Sequence, residues 1–138
     1  LGSFFGAIFI AYISKKTSYL KLMIINAFGL NIFQILMAIS KNYTQASISI
    51  FAAGFCLIAY IILSNTTMQL LSTNELRGRI MSVYSLVFLG VTPLGSIFSG
   101  TIANYIGIRF AIFIGAFIGF LVCMYYLKRF LKYATLGV

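Results

Sequence analysis

Few residues in this 138-residue chain have chemistry to offer. Its single acid, Glu75, is followed at once by two arginines, in Asn74-Glu75-Leu76-Arg77-Gly78-Arg79. A carboxylate and two guanidinium groups around a glycine-containing turn can make charge-assisted hydrogen bonds. Those bonds can fasten the end of one helix to the start of the next, as a clasp made in one state of a moving protein and broken in another. The same residues also read as a solvated loop, since an exposed ion pair contributes only about 0–1 kcal/mol. A second group is polar and uncharged: Tyr60, Ser64, Asn65, Thr66 and Gln69. Asn65 and Gln69 are four apart and share a helical face. They can hydrogen-bond a solute, or serve capping and packing near an interface.

Other chemistry has no residues to carry it. There is no His, no acid pair and no Ser-His set, so hydrolysis and metal catalysis lack their groups. No Gly-rich Lys motif is present to cradle a nucleotide phosphate. Cys56 and Cys123 stand alone in apolar runs without metal-ligand spacing, and read as small buried hydrophobes. The chain is expected to be neither an enzyme nor a holder of a cofactor or metal.

These residues must be positioned by elements that live in lipid. Hydrophobic residues make up 62% of the chain and charged ones 8%. A soluble domain has about 25% charged residues, and so few polar groups cannot cover one. A bilayer removes the difficulty, because lipid accepts apolar surface on the outside of a protein. A helix needs about 20 apolar residues to cross the hydrocarbon, and five candidates satisfy or approach that. They run over about 1–13, 20–39, 46–71, 80–103 and 109–127. The long apolar runs lack the short alternating pattern of a barrel. The fold class is therefore all-α, a polytopic bundle of about five transmembrane helices.

The net charge of +9 does not mark a nucleic-acid binder. The basic residues sit in gaps between apolar runs, where they fix topology and meet anionic lipid headgroups. One side collects Lys15, Lys16, Lys21, Arg77, Arg79, Lys128, Arg129 and Lys132; the other has Lys41 and Arg109. The positive-inside rule then places the first side, and the C-terminus, in the cytoplasm. Residues 133–138 read as a frayed tail. The chain opens on Leu1 within an apolar run, and reads as a fragment whose first helix is cut into.

The fourth helix carries Thr92, Pro93, Gly95, Ser96, Ser99, Gly100 and Thr101. Small residues let membrane helices approach closely, and Pro93 removes a backbone bond and predicts a kink. The helix can be a bending, cavity-lining one or merely a kinked packing one. Gly115 and Gly119 form a GxxxG that fits ordinary packing or a dimer face. Asn26, Asn31 and Gln34 fall inside the second helix, where an amide without a partner is costly.

The segment Glu75-Leu76-Arg77-Gly78-Arg79, followed by Val83-Tyr84-Ser85-Leu86 and Thr92-Pro93-Leu94-Gly95-Ser96, resembles the junction of helices ten and eleven in major facilitator superfamily transporters. It is similar to the branch of siderophore exporters and macrolide efflux proteins. Gly2-Ser3-Phe4-Phe5-Gly6 and the basic Ser14-Lys15-Lys16 resemble that family's helix eight and the loop after it. There the family has Asp-Arg and this chain has no acid. The resemblance covers the chain as helices eight to twelve. It implies an alternating-access efflux permease for a small amphipathic or drug-like molecule, completed by a missing N-terminal half. It also implies that the third helix lines the cavity, with Tyr60, Asn65, Gln69 and Thr92 as substrate contacts. The second helix is peripheral, so Asn31 and Gln34 serve interhelical bonding. No ionisable residue lies well inside a span, so a proton-driven mechanism would place its titrating group upstream of Leu1. The competing reading is a small non-transporting membrane subunit or assembly protein. A membrane enzyme comes third.

Overall fold

The structure is a computed structural model that describes residues 1–13 and 19–135, with side chains to residue 129. The basic gap 14–18, the side chain of Lys132 and residues 136–138 lie outside the described residues. Among the described residues five helices follow one another: α1 Gly2–Ile13, α2 Tyr19–Ile39, α3 Tyr43–Leu71, α4 Arg77–Ile106 and α5 Ile108–Thr135. Four are long and apolar enough to cross a membrane, and α1 is a shorter apolar helix. The all-α membrane bundle expected from the apolar runs is what forms.

Helix ends differ from the hydropathy reading in a consistent direction. Apolar runs under-measure helices whose ends are polar, because the ends project into headgroups. α3 begins at Tyr43, capped by Asn42, whose carbonyl accepts the Ala46 N–H at 3.1 Å. Arg77, Gly78 and Arg79, expected in a loop, form the first turn of α4. The Thr73 carbonyl accepts the N–H groups of Leu76 at 3.1 Å and Arg77 at 2.9 Å, which starts the turn. The connection to α5 shrinks to Gly107, whose φ of 100° and ψ of 152° suit glycine alone. Tyr133, Ala134 and Thr135, expected in a frayed tail, continue α5.

Lipid gives helices no hydrophobic reason to associate, so close packing must hold them. Glycines supply the closeness. A Cβ on Gly6 of α1 would stand 2.7 Å from the Phe55 carbonyl oxygen and 2.7 Å from Ile58 Cγ2 of α3. One on Gly2 would meet the Phe51 carbonyl directly. Across α2 and α3, Gly29 abuts Cys56 Sγ. Ile10, Ala59 and Leu63 form the buried centre, with Tyr19, Leu22, Met23 and Ile62 against it. α2 and α5 run antiparallel: Phe28 meets Phe120 edge-on at 5.5 Å, and Asn31 lies on Gly119. α4 differs from the rest, since none of its residues is buried.

Candidate functional site

α3 positions the polar residues expected to meet substrate, and it separates them. Asn65 and Gln69 sit one turn apart and their side chains bond, Gln69 Nε2 donating to Asn65 Oδ1 at 3.0 Å. That pair uses one donor and one acceptor. The remaining amide donors and acceptors stay available to a solute. Tyr60 points elsewhere. Nine residues are about half a turn out of phase on a helix, and Tyr60 lines a cavity of about 460 Å³ bounded by α2, α3 and α5. Gln69 is exposed and Asn65 is half-buried, and neither lines that cavity.

Thr92 is on the neighbouring helix, exposed, and donates to the Phe88 carbonyl at 2.7 Å. No contact of Thr92 with the α3 amides is seen. Its bond is one of a series along α4: Ser82 to Gly78 O at 2.7 Å, Ser96 to Thr92 O at 3.0 Å, Thr101 to Ile97 O at 2.8 Å. Each hydroxyl proton is spent on the helix's own carbonyls, as suits an apolar setting, and the oxygen lone pairs remain. Ser82, Ser85, Thr92, Ser96 and Ser99 recur at spacings of three, four and seven, so they form one stripe.

α4 runs through Pro93 as one helix. Gly78, Gly90, Gly95 and Gly100 have nothing within 4 Å of a Cβ placed on them. Several glycines elsewhere are filled by a neighbour, Gly2, Gly6 and Gly29 by α3 (the first two by its backbone) and Gly119 by Asn31, whereas Gly107 and Gly115 are open. The small-residue surface of α4 containing Pro93, Gly95, Ser96 and Gly100 is therefore open in this chain.

Glu75 lies in the turn before α4, and Arg77 and Arg79 lie in its first turn, all three exposed. Among the described residues Glu75 is not ion-paired with either arginine. Cations at a helix N-terminus oppose the macrodipole, whereas a carboxylate just before it is favourable. The arrangement leaves both guanidinium groups free to take an anionic partner.

Two motifs resolve as packing. Asn31 is buried and donates to Ala27 O at 2.7 Å and towards Cys123 Sγ of α5 at 3.7 Å. That contact is the interhelical role expected of it. Within the GxxxG of α5, Gly119 receives Asn31 while Gly115 has open space. Sequence reasoning missed the α2–α3–α5 cavity. No local signal could have shown it, because α2 and α5 meet only in the folded chain.

No group of three or more His, Cys, Asp or Glu among the described residues is placed to hold a metal. The chain is similar to an uncharacterized transporter of Schizosaccharomyces pombe, 26% identical over 127 residues, which cover 90% of this chain and 24% of that protein. The chain thus spans about a quarter of the length of the curated relative it matches. No solved structure matches it significantly. Residues 1–134 match the family described as transmembrane secretion effector. A multi-pass bundle of apolar helices with that match along nearly all of its length belongs to the transmembrane secretion effector family of the major facilitator superfamily.

Proposed function

We propose that the chain supplies the C-terminal part of a twelve-helix efflux permease, its helices eight to twelve, in the branch of siderophore exporters and macrolide efflux proteins. The whole protein would export a small amphipathic or drug-like molecule across a bacterial cytoplasmic membrane by alternating access. The observation that carries this reading is the family match along residues 1–134. The open surface of α4 supports it, because a helix with no buried residue still needs something to pack or slide against. The N-terminal half of the transporter is that partner. In this reading Asn65 and Gln69 offer the substrate a pair of amides, Thr92 a hydroxyl oxygen from α4, and Tyr60 a phenol from the other side of α3.

Replacing Asn65 and Gln69 together by leucine in the whole protein should reduce export about tenfold or more. That corresponds to losing roughly one or two hydrogen bonds to the cargo, at about 0.5–1.5 kcal/mol each. Efflux of a panel of fluorescent amphiphiles from loaded cells, normalised to protein amount, measures it. Unchanged efflux of every transported compound would remove these amides from the site.

Glu75, Arg77 and Arg79 form the clasp in this proposal, closing in the conformation opposite to the present one. Glu75→Arg should slow export several-fold while leaving insertion intact. Wild-type export by that variant would leave the three residues as a solvated turn. The same turn tests orientation. With the C-terminus cytoplasmic, a cysteine introduced at Asn74 reacts with a membrane-impermeant maleimide only after the cells are opened, and reaction in intact cells would reverse the topology.

A further inference from the structure

The groove between the end of α2 and the start of α3 has a cation in its own lining. Lys41, Gln45 and Ser49 border it, and Leu36, Ile39 and Ile48 form its apolar side. Its volume is about 500 Å³. Gln45 and Ser49 are four apart and share one face of α3. Ser49 is 7% exposed, and its hydroxyl makes no hydrogen bond among the described residues. Ser72, buried to the same degree at the other end of α3, donates to the Met68 carbonyl instead. A buried hydroxyl without a partner is costly. One that borders a groove points to an acceptor inside it.

The backbone adds donors at the same place. The N–H groups of Tyr43, Thr44 and Gln45 find no acceptor among the described residues, and the Asn42 side chain makes no cap bond. The N-terminus of such a helix carries about half a positive charge and attracts anions. Lys41, just before it, adds a full charge. The one acidic side chain, Glu75, follows the opposite end of this 29-residue helix. At a rise of 1.5 Å per residue it is roughly 40 Å away, too far to neutralise Lys41. Ammonium, amide, hydroxyl and helix N-terminus around one groove are the complement of an anion with several oxygens, such as phosphate.

The apolar side says which phosphate. Ile32, Leu36 and Ile39 are exposed and recur at spacings of four and three, so they form a strip down one face of α2 that ends in the groove. In a chain that spans a membrane this strip meets hydrocarbon, and the residues just past the end of α2 meet headgroups. A phosphate that carries acyl chains uses both the donors and the strip. We infer that the α2–α3 groove binds an anionic phospholipid, its phosphate held by Lys41, Ser49 and the start of α3 and an acyl chain laid along Leu36 and Ile32. The site is independent of the export reading, because it requires only that the chain spans a membrane.

The test uses the whole protein, purified in a mild detergent and supplied with phosphatidylglycerol or phosphatidylcholine of the same acyl chains. Native mass spectrometry counts the lipid retained. The wild type should retain phosphatidylglycerol about tenfold more strongly than phosphatidylcholine, and Lys41→Gln should erase that preference. Ser49→Ala removes no hydrogen bond of the protein's own. It should weaken retention of both lipids about tenfold, as loss of a bond to a charged group does, at an unchanged unfolding midpoint. Arg109→Gln is the control for general surface charge. α2 and α5 run antiparallel, so Arg109 stands at the same end of the bundle as Lys41, but it does not border the groove. That variant should keep the preference. The proposal is overturned if Lys41→Gln keeps the preference, if Arg109→Gln erases it equally, or if Ser49→Ala retains lipid as well as wild type. A wild type without preference overturns it too, since the groove is then covered by the rest of the protein. So does release of the lipid by millimolar inorganic phosphate as effectively as by added phosphatidylglycerol, which would make the occupant a free anion. Export is not the readout, so a failure of the transporter reading would be seen separately.

Discussion

Leucine at position 6 should detach α1 from the bundle. The Gly6 Cα faces the α3 backbone so closely that even a methyl group would stand 2.7 Å from the Phe55 carbonyl oxygen and 3.2 Å from the Phe55 Cα. A flexible side chain could yield to such contact, but a helix backbone cannot without moving the helix. Gly2, one turn earlier, meets the Phe51 carbonyl in the same way, so α1 cannot pivot about one contact to relieve the other. Ile10, the next residue in this four-residue series, is 1% exposed against Ala59 and Leu63, which are fully buried. Pushing α1 outward opens that centre. Overpacking a filled site costs roughly 1–3 kcal/mol. We expect Gly6→Ala to fall in that range and Gly6→Leu to exceed it, with the leucine variant failing to accumulate as a monodisperse species. Gly54→Ala is the mild comparison, since its Cβ would meet the Ser3 hydroxyl at 3.3 Å and the Ser3 backbone nitrogen at an ordinary 3.7 Å. Thermal unfolding in detergent orders the three variants. A Gly6→Leu protein with the wild-type midpoint would mean that α1 and α3 do not approach this closely.

The same contact shows how far the residues alone could be read. Long apolar runs revealed the spans, because a span is a local property and lipid demands its length. Gly2 and Gly6 are four apart, the spacing of close helix contact, yet spacing says nothing about which helix is met. Gly115 and Gly119 have the same spacing, and only Gly119 is in contact, with Asn31 of α2. Arg77 and Arg79 looked like loop residues because hydropathy cannot distinguish a charged loop from a charged first turn. The Thr73 carbonyl decides it by accepting two successive N–H groups. Tyr60, Asn65 and Gln69 were grouped because they lie on one half of one helix. Helical phase splits them, and the α2–α5 contact gives Tyr60 a cavity of its own. What stayed hidden was each pairing between distant helices, where no local pattern carries information.

Leucine at position 100 should do the opposite of leucine at position 6, disabling transport while sparing the fold. α4 has no buried residue, and none of the other described residues lies within 4 Å of a Cβ added to Gly90, Gly95 or Gly100. The substitution therefore clashes with no group in the bundle described here, and its effect on the bundle's own stability should stay within about 0.5 kcal/mol, as for other sites without a contact to lose. Lipid gives no reason for a helix to carry serine and glycine where leucine would serve. The stripe of Ser82, Ser85, Thr92, Ser96 and Ser99 keeps its hydroxyl protons on the helix where bonds are seen and leaves a smooth surface of small side chains. Such a surface suits a partner that must come close and then slide or part, which is the motion the proposed permease requires. We expect Gly100→Leu, assayed in the whole protein, to reduce efflux about tenfold or more at an unchanged unfolding midpoint. Val87→Leu, on the side of α4 away from the stripe, should transport normally. If both variants transport alike, the stripe faces lipid only and α4 takes no part in the moving interface. If Gly100→Leu loses transport and Val87→Leu does not, the open surface of α4 is where the two halves of the transporter meet.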